Sequence, residues 1–202
     1  FSHSEQSVRT VDILEKDGQG LNLTYEVRDG ILNHQTKGVP FTLEGRIVRI
    51  SDKIAYIHHD MDDAIRAGIL REQDVPREIT EVIGDTLGKR LDHFIHDLVT
   101  NSVKVGDICM SAPVAEAMQK LRTFLFENLY TNPIAKGEER KAENLIKTLY
   151  DYYGKHIELL PRDYHQLMER GEPKEKVLCD YIGAMTDRFA IAKYEEIYIP
   201  QC

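Results

Sequence analysis

Asp52, Tyr56, His59, Asp60 and Asp63 lie in one short stretch of the chain. Side chains of these types can grip a cation, accept hydrogen bonds and stack on a flat polar ligand. On an ideal helix with Asp52 at zero, Tyr56 falls at about 40°, His59 at about −20°, Asp60 at about 80° and Asp63 at about 20°, so all share one stripe. Arg49 at about 60° and Lys53 at about 100° flank it. Asp60 and Asp63 repel at i,i+3 spacing, a cost of about 0.2–0.5 kcal/mol unless a cation or basic side chain stands nearby. A carboxylate at the start, a tyrosine one turn on and a second carboxylate one turn further can hold a metal ion at one end and a polar ligand along the stripe. The competing reading is a plain solvated face, which is what most amphipathic helices present opposite their apolar side.

The element that must carry the stripe is a helix over about 42–67. Ile47, Ile50, Ile54, Ile57, Met61 and Ile65 recur at spacings of three and four, which gathers them into a band of about 80° on the opposite side. Gly68 ends it. Before it, 4–15 reads as a helix stopped by Gly18 and Gly20, and Asn22 is expected to cap a second helix over 23–34. After it, Pro76 opens a run that reaches Val103 unevenly, interrupted at Gly84 and Gly88. Helices follow over 113–130, 136–160, 161–170 and 173–193; three of these begin with a proline, where the missing N–H costs nothing. The segment 195–199 alternates weakly and reads as a short strand or an extended tail. The fold class expected is all-α.

With 202 residues, 42% hydrophobic and 30% charged, the chain has enough apolar material for a core. No stretch approaches the roughly 20 uncharged apolar residues of a membrane span, and a cytoplasmic location is expected. Cys109, Cys179 and Cys202 are odd in number and widely spaced, so neither a disulfide framework nor a zinc knuckle fits. The net charge of −8 argues against a nucleic-acid-coating role, which needs clustered Lys and Arg. It leaves room for an anionic small substrate, because a bound divalent cation inverts the local field.

The run from Arg46 to Gly68, RIVRISDKIAYIHHDMDDAIRAG, resembles the last metal-ligand helix of HD-domain deoxynucleoside triphosphate triphosphohydrolases, the bacterial dGTPase-like family. FSHSEQSVR at residues 1–9 is similar to the family's helix bearing an active-site histidine, and GLNLTYEVRDGIL at 20–32 to the segment after it. DYIGAMTDRFA at 180–190 resembles the C-terminal motif, with Gly183 and Ala184 in transposed order. The resemblance implies an HD-domain-like helical bundle, with 1–70 as the C-terminal part of the catalytic domain and 71–202 as helices packing on it. It implies hydrolysis of a dNTP to deoxynucleoside and triphosphate by a metal-activated water. The divalent ion, Mg²⁺ or Mn²⁺, would be held by a His, a His-Asp doublet and Asp52. Lys53 would lie near the phosphates, Tyr56 and Asp60 would bind the deoxyribose, and His3 would stand beside the α-phosphate for proton transfer or charge stabilisation. It further implies homo-oligomers. The first His and the His-Asp doublet belong upstream of residue 1, so these residues alone are expected to be inactive as part of a longer active chain.

Other signals are weaker. His96-Asp97, with His93 one turn before, is an adjacent pair of letters whose structural reading is favoured, and its place after Asp52 reverses the family's order. His58 sits beside the isoleucine band, and His34 and His156 show no partner in the sequence. Arg188 is the basic residue chosen for substrate phosphate, against an equal expectation of a surface ion pair with Asp187 or Glu195. Tyr150, Tyr152, Tyr153, Phe124, Phe126 and Tyr130 read as core or interface. Two rivals stand beside the triphosphohydrolase: another HD-type nucleotide phosphohydrolase, and a noncatalytic helical regulatory or assembly module.

Overall fold

The computed structural model describes residues 1–35, 37–131 and 133–200, with only the backbone at 133–136. Cys202 lies outside the described residues, and Cys109 and Cys179 are free thiols. Among the described residues, ten helices account for most of the chain and no strand occurs. They are α1 (His3–Arg9), α2 (Tyr25–Leu32), α3 (Leu43–Arg66), α4 (Arg77–Ile83) and α5 (Leu87–Val105), then α6 (Ala112–Leu125), α7 (Pro133–Lys155), α8 (Arg162–Glu169), α9 (Lys174–Gly183) and α10 (Asp187–Tyr198). α1 runs on through a π turn at Thr10–Leu14, and α6 through another at Phe126–Tyr130. No helix is long and apolar enough to cross a membrane.

Two compact units divide the chain: Phe1–Val8 with Leu23–Ala135, and Arg9–Asn22 with everything from Lys136. In the first, the band on α3 delivers Ile54, Ile57 and Met61 to a core shared with Leu70, Val75, Ile79, Ile83, Phe94, Leu121 and Leu125. Leu70, Val75 and Ile79 pack into the same core as α3. Ile50 and Ile65 are partly buried against that core, while Ile47 remains 46% exposed. α3 packs on α2, α5 and α6, and α4 packs on α5 and α6.

Thr42 starts α3 by accepting the Gly45 N–H at 3.1 Å. α2 and α3 touch at two glycines. A Cβ on Gly45 would stand 2.7 Å from the Cβ of Pro40 and 3.4 Å from the Cα of Gly30, so only a bare backbone fits there. Arg90 is buried on α5, where its guanidinium pairs with Glu72 and points at the Gly84 carbonyl and Met61 sulfur.

In the second unit, Leu149, Tyr153, Leu160, Leu167, Val177, Leu178, Tyr181 and Ile182 form the core. Tyr153 and Tyr164 each meet Tyr181 edge-on at 5.1 Å.

Several local expectations need correction. Residues 195–199 do not form a strand or an extended tail, because α10 continues to Tyr198. The helix expected over 173–193 breaks at 184–186, where Thr186 turns extended and caps a new helix by accepting the Phe189 N–H. Asn22 does not cap α2; it adopts a left-handed conformation with φ 53°, and Thr24 holds the N-cap position. Gly84, at φ 99°, does separate α4 from α5, but Gly88 lies inside α5 without breaking it.

Candidate functional site

The polar stripe of α3 is built from Arg49, Asp52, Lys53, Tyr56 and Asp60, set by the helical period opposite the buried band. Asp60 receives a hydrogen bond from the phenol of Tyr130, and the phenol oxygens of Tyr130 and Tyr56 are 2.7 Å apart. Tyr130 has one proton for two acceptors, the Asp60 carboxylate and the Tyr56 oxygen, while Tyr56 donates to Asp60, so both phenols converge on that carboxylate. The rings of Tyr56 and Tyr130 lie 6.4 Å apart, and Phe126 meets Tyr130 edge-on at 6.0 Å. The π turn at Phe126–Tyr130 carries Tyr130 to this position; the extra residue in such a turn re-aims side chains and is common at functional sites.

Positive charge collects beside this aromatic pair. Lys53 is half-buried, and burial, with repulsion from Arg49 and Arg122, holds its ammonium below the usual lysine range, while Asp52 acts the other way. Arg122 on α6 adds positive charge felt by both Lys53 and Tyr56, and it makes no ion pair among the described residues. Burial raises the Tyr56 phenol, as do the charge of Asp60 and the hydrogen bond to it, whereas Arg122 lowers it. Burial also raises the Asp60 carboxyl. The arrangement offers cations for an anion and, alongside, a carboxylate between two phenols for hydroxyl groups on the same ligand.

The structure brings the start of the chain to this face. Gln35 donates its side-chain amide to Ser4 Oγ at 2.7 Å, and its carbonyl accepts from Arg49 Nε at 3.1 Å. The buried Ser4 is next to His3, and the His3 ring pairs with His34. A contact network thus runs from the His3 turn through Gln35 to Arg49, one turn before Lys53 on α3.

Asp52 is exposed and takes no hydrogen bond or ion pair among the described residues. No group of three His, Cys, Asp or Glu among the described residues can hold a metal ion. Asp52 therefore fits a metal only as one ligand of a larger set, and the described residues do not complete that set. Arg188 lies on α10 in the second unit, exposed and without an ion pair among the described residues. Asp97 spends its carboxylate on the Asn101 amide and the Ser111 N–H, which is a structural use. His58 lines a small cavity with Arg90, Phe94 and Leu121 on the apolar side of α3.

Sequence reasoning missed Arg122, Tyr130 and His34. A π turn has no periodic signature, and Tyr130 sits among Phe124 and Phe126, so its aromatic ring reads as core. His34 follows the end of α2, and nothing local signals its partner at residue 3.

Residues 108–196 match the phosphohydrolase-associated domain family. Over 200 residues the chain is 47% identical to the deoxyguanosinetriphosphate triphosphohydrolase-like protein of Caldanaerobacter subterraneus subsp. tengcongensis, covering 99% of this chain and 59% of that protein. It is 40% identical over 210 residues to the protein of the same name from Clostridium perfringens strain 13, covering 100% of this chain and 61% of the relative. The Clostridium tetani protein of that name is 37% identical over 214 residues, covering 100% and 60%. The chain spans about three fifths of the length of these relatives.

Proposed function

The chain belongs to the deoxyguanosinetriphosphate triphosphohydrolase-like family, and from that premise we propose that it forms part of an enzyme hydrolysing deoxynucleoside triphosphates to deoxynucleoside and inorganic triphosphate. The observation that carries this reading is the gathering of Arg49, Lys53 and Arg122 beside the Tyr56–Tyr130–Asp60 cluster. A chain of phosphates matches the cations, and a sugar hydroxyl matches the carboxylate held between two phenols. His3, tied to the same face through Ser4 and Gln35, is the candidate for contact with the α-phosphate. Water adds to the α-phosphorus and gives up a proton, the bond to the 5′ oxygen breaks, that oxygen takes up a proton to leave as the deoxynucleoside hydroxyl, and the three phosphates are released together as triphosphate.

The family resemblance supports a divalent cation, with Asp52 as one ligand and the others outside the described residues. Arg188 stays in the proposal as a phosphate contact on the strength of the motif it sits in. Homo-oligomeric assembly and a cytoplasmic location belong to the same reading, and light scattering and cell fractionation test them.

The test of the reaction is direct. The longer protein of which this chain is proposed to form part is incubated with each dNTP and Mg²⁺ or Mn²⁺, and the phosphorus products are resolved by ³¹P NMR. Released triphosphate, lost on Asp52→Ala, is the expected result. Release of phosphate or pyrophosphate instead points to the other HD-type reaction. Hydrolysis untouched by Asp52→Ala points away from this site.

A further inference from the structure

His3 and His34 are joined ring to ring: their Nε2 atoms lie 3.1 Å apart, with ring centroids 5.0 Å apart and planes at 61°. The other ring nitrogen of His34, Nδ1, lies 2.6 Å from the carbonyl oxygen of Ile31 at the end of α2. A carbonyl oxygen only accepts, so Nδ1 of His34 carries a proton, and the neutral ring then has its lone pair on Nε2. Two bare nitrogens at this distance would repel. The proton between the rings therefore belongs to Nε2 of His3, and the lone pair of His3 is left on Nδ1.

The residues around His34 hold it in this pose. Asn33 closes α2 by donating its N–H to the Asp29 carbonyl at 2.9 Å and its side-chain amide to the Asp29 carboxylate at 2.7 Å. Gln35, on the other side, is pinned to Ser4 and Arg49. His34 thus stands between two anchored residues, with one nitrogen committed to the backbone and the other turned to His3.

We propose that His34 is a positioning residue for His3. It accepts the Nε2 proton of His3, fixes the orientation of that ring, and makes Nδ1 the atom of His3 that can take a proton from the reacting group. When Nδ1 is protonated, the Nε2–H stays in place and its bond to His34 strengthens, because a charged donor binds a neutral acceptor more tightly. This inference rests on the proposed function, in which His3 meets the α-phosphate.

The test reads the pair and the reaction separately. In protein with ¹⁵N-labelled histidine at about pH 8, where an ordinary imidazole is neutral, His34 should show a protonated Nδ1 and a bare Nε2. A through-hydrogen-bond ¹⁵N–¹⁵N coupling should link Nε2 of His3 with Nε2 of His34. In the dNTP assay, His34→Leu should lower kcat about tenfold with KM nearly unchanged, and His34→Gln, whose amide oxygen can accept the same proton, should restore most of it. Unchanged circular dichroism and Tm in both variants would exclude a folding effect. Absence of the coupling, a proton on Nε2 of His34, or wild-type kcat in His34→Leu would overturn the proposal. Should the coupling be present while the wild-type protein hydrolyses no dNTP, the proposed function fails, and with it the catalytic purpose of a pair that nonetheless exists.

Discussion

Tyr130 donates its phenol proton to the carboxylate of Asp60, a contact between residues seventy positions apart in the chain. It fastens the π turn after α6 to the polar face of α3, and Tyr56 joins it from the next turn of that face. Asp60 is thus flanked by two phenols on this face.

Removing the Tyr130 donor should therefore weaken the site for deoxynucleotides. Hydrogen bonds to charged groups contribute about 1.5–3 kcal/mol, so Tyr130→Phe should lower kcat/KM for a dNTP by roughly tenfold or more. The effect should shrink with a 2′,3′-dideoxynucleotide, which has no 3′-hydroxyl to share Asp60. Steady-state kinetics on both substrates check this, and an equal loss on the two would separate Tyr130 from sugar recognition.

The Asp60 carboxyl gives a stability signature of its own. Burial raises it, Asp63 adds to the shift, and the Tyr56 hydrogen bond and His59 oppose it. A carboxyl raised in the folded state holds its proton more firmly there than in the unfolded chain. Its favourable contribution belongs to acid pH and is lost as pH rises through the folded value. Charged Asp60 thus costs stability at neutral pH. Asp60→Asn should raise Tm at pH 7, with the gain fading as pH falls into the ordinary carboxylate range. Thermal unfolding of both proteins across that range measures it; a variant less stable than wild type at pH 7 contradicts the assigned shift.

Much of α3 was legible in the sequence, because its signals are local. Thr42 before an apolar repeat, the three–four spacing of Ile54, Ile57 and Met61, and Gly68 after the last turn each act within a few residues, and the helix follows them. Ile47 shows the limit: the period places it in the band, but it is 46% exposed because the described core begins further along the helix. The partners of the stripe were not legible. Arg122, Tyr130 and His34 reach their contacts through tertiary packing and a π turn, neither of which leaves a periodic trace. Asn22 fits the preferences of a cap, yet the chain uses it for a left-handed turn and gives the cap position to Thr24. The split at 184–186 depends on Thr186, whose capping oxygen outweighs the continuing apolar pattern.

Gly30 and Gly45 should respond in opposite ways to the same substitution. A methyl on Gly45 would meet the buried Pro40 at 2.7 Å and the Thr42 hydroxyl oxygen at 3.1 Å, so the loop before α3 must shift to admit it. Overpacking of this kind costs about 1–3 kcal/mol, against a helix-propensity gain below about 1 kcal/mol. At Gly30 the nearest atom would stand at 3.6 Å, an ordinary contact, and the propensity gain is left unopposed. Urea unfolding should show Gly45→Ala destabilised and Gly30→Ala stabilised by about 0.5–1 kcal/mol.

Arg9 is the residue of the second unit most exposed to the loss of a partner. Its Nε lies 3.0 Å from both carboxylate oxygens of Asp180, its Nη2 lies 2.7 Å from one of them, and two further bonds of 3.2 Å go to Glu172. The Arg9 side chain is 9% exposed and that of Asp180 only 1%. Asp180, then Glu172, hold the guanidinium above its usual value against the opposing effect of burial. Taking away Asp180 leaves a desolvated cation with one partly exposed partner, and a broken buried pair costs about 3–5 kcal/mol. Asp180→Ala should fall in that range by urea unfolding. Replacing both members by apolar residues of similar size removes the stranded charge, so Arg9→Met with Asp180→Leu should recover much of the loss. Glu172 responds to pH instead. Arg9, then Lys176, lower its carboxyl, so its contribution is present above the unfolded carboxylate value and lost as pH falls through the folded one. Glu172→Gln should accordingly be less stable than wild type at neutral pH and converge with it in acid. A double variant as unstable as Asp180→Ala alone would mean that Asp180 supports the fold through contacts other than the Arg9 ion pair.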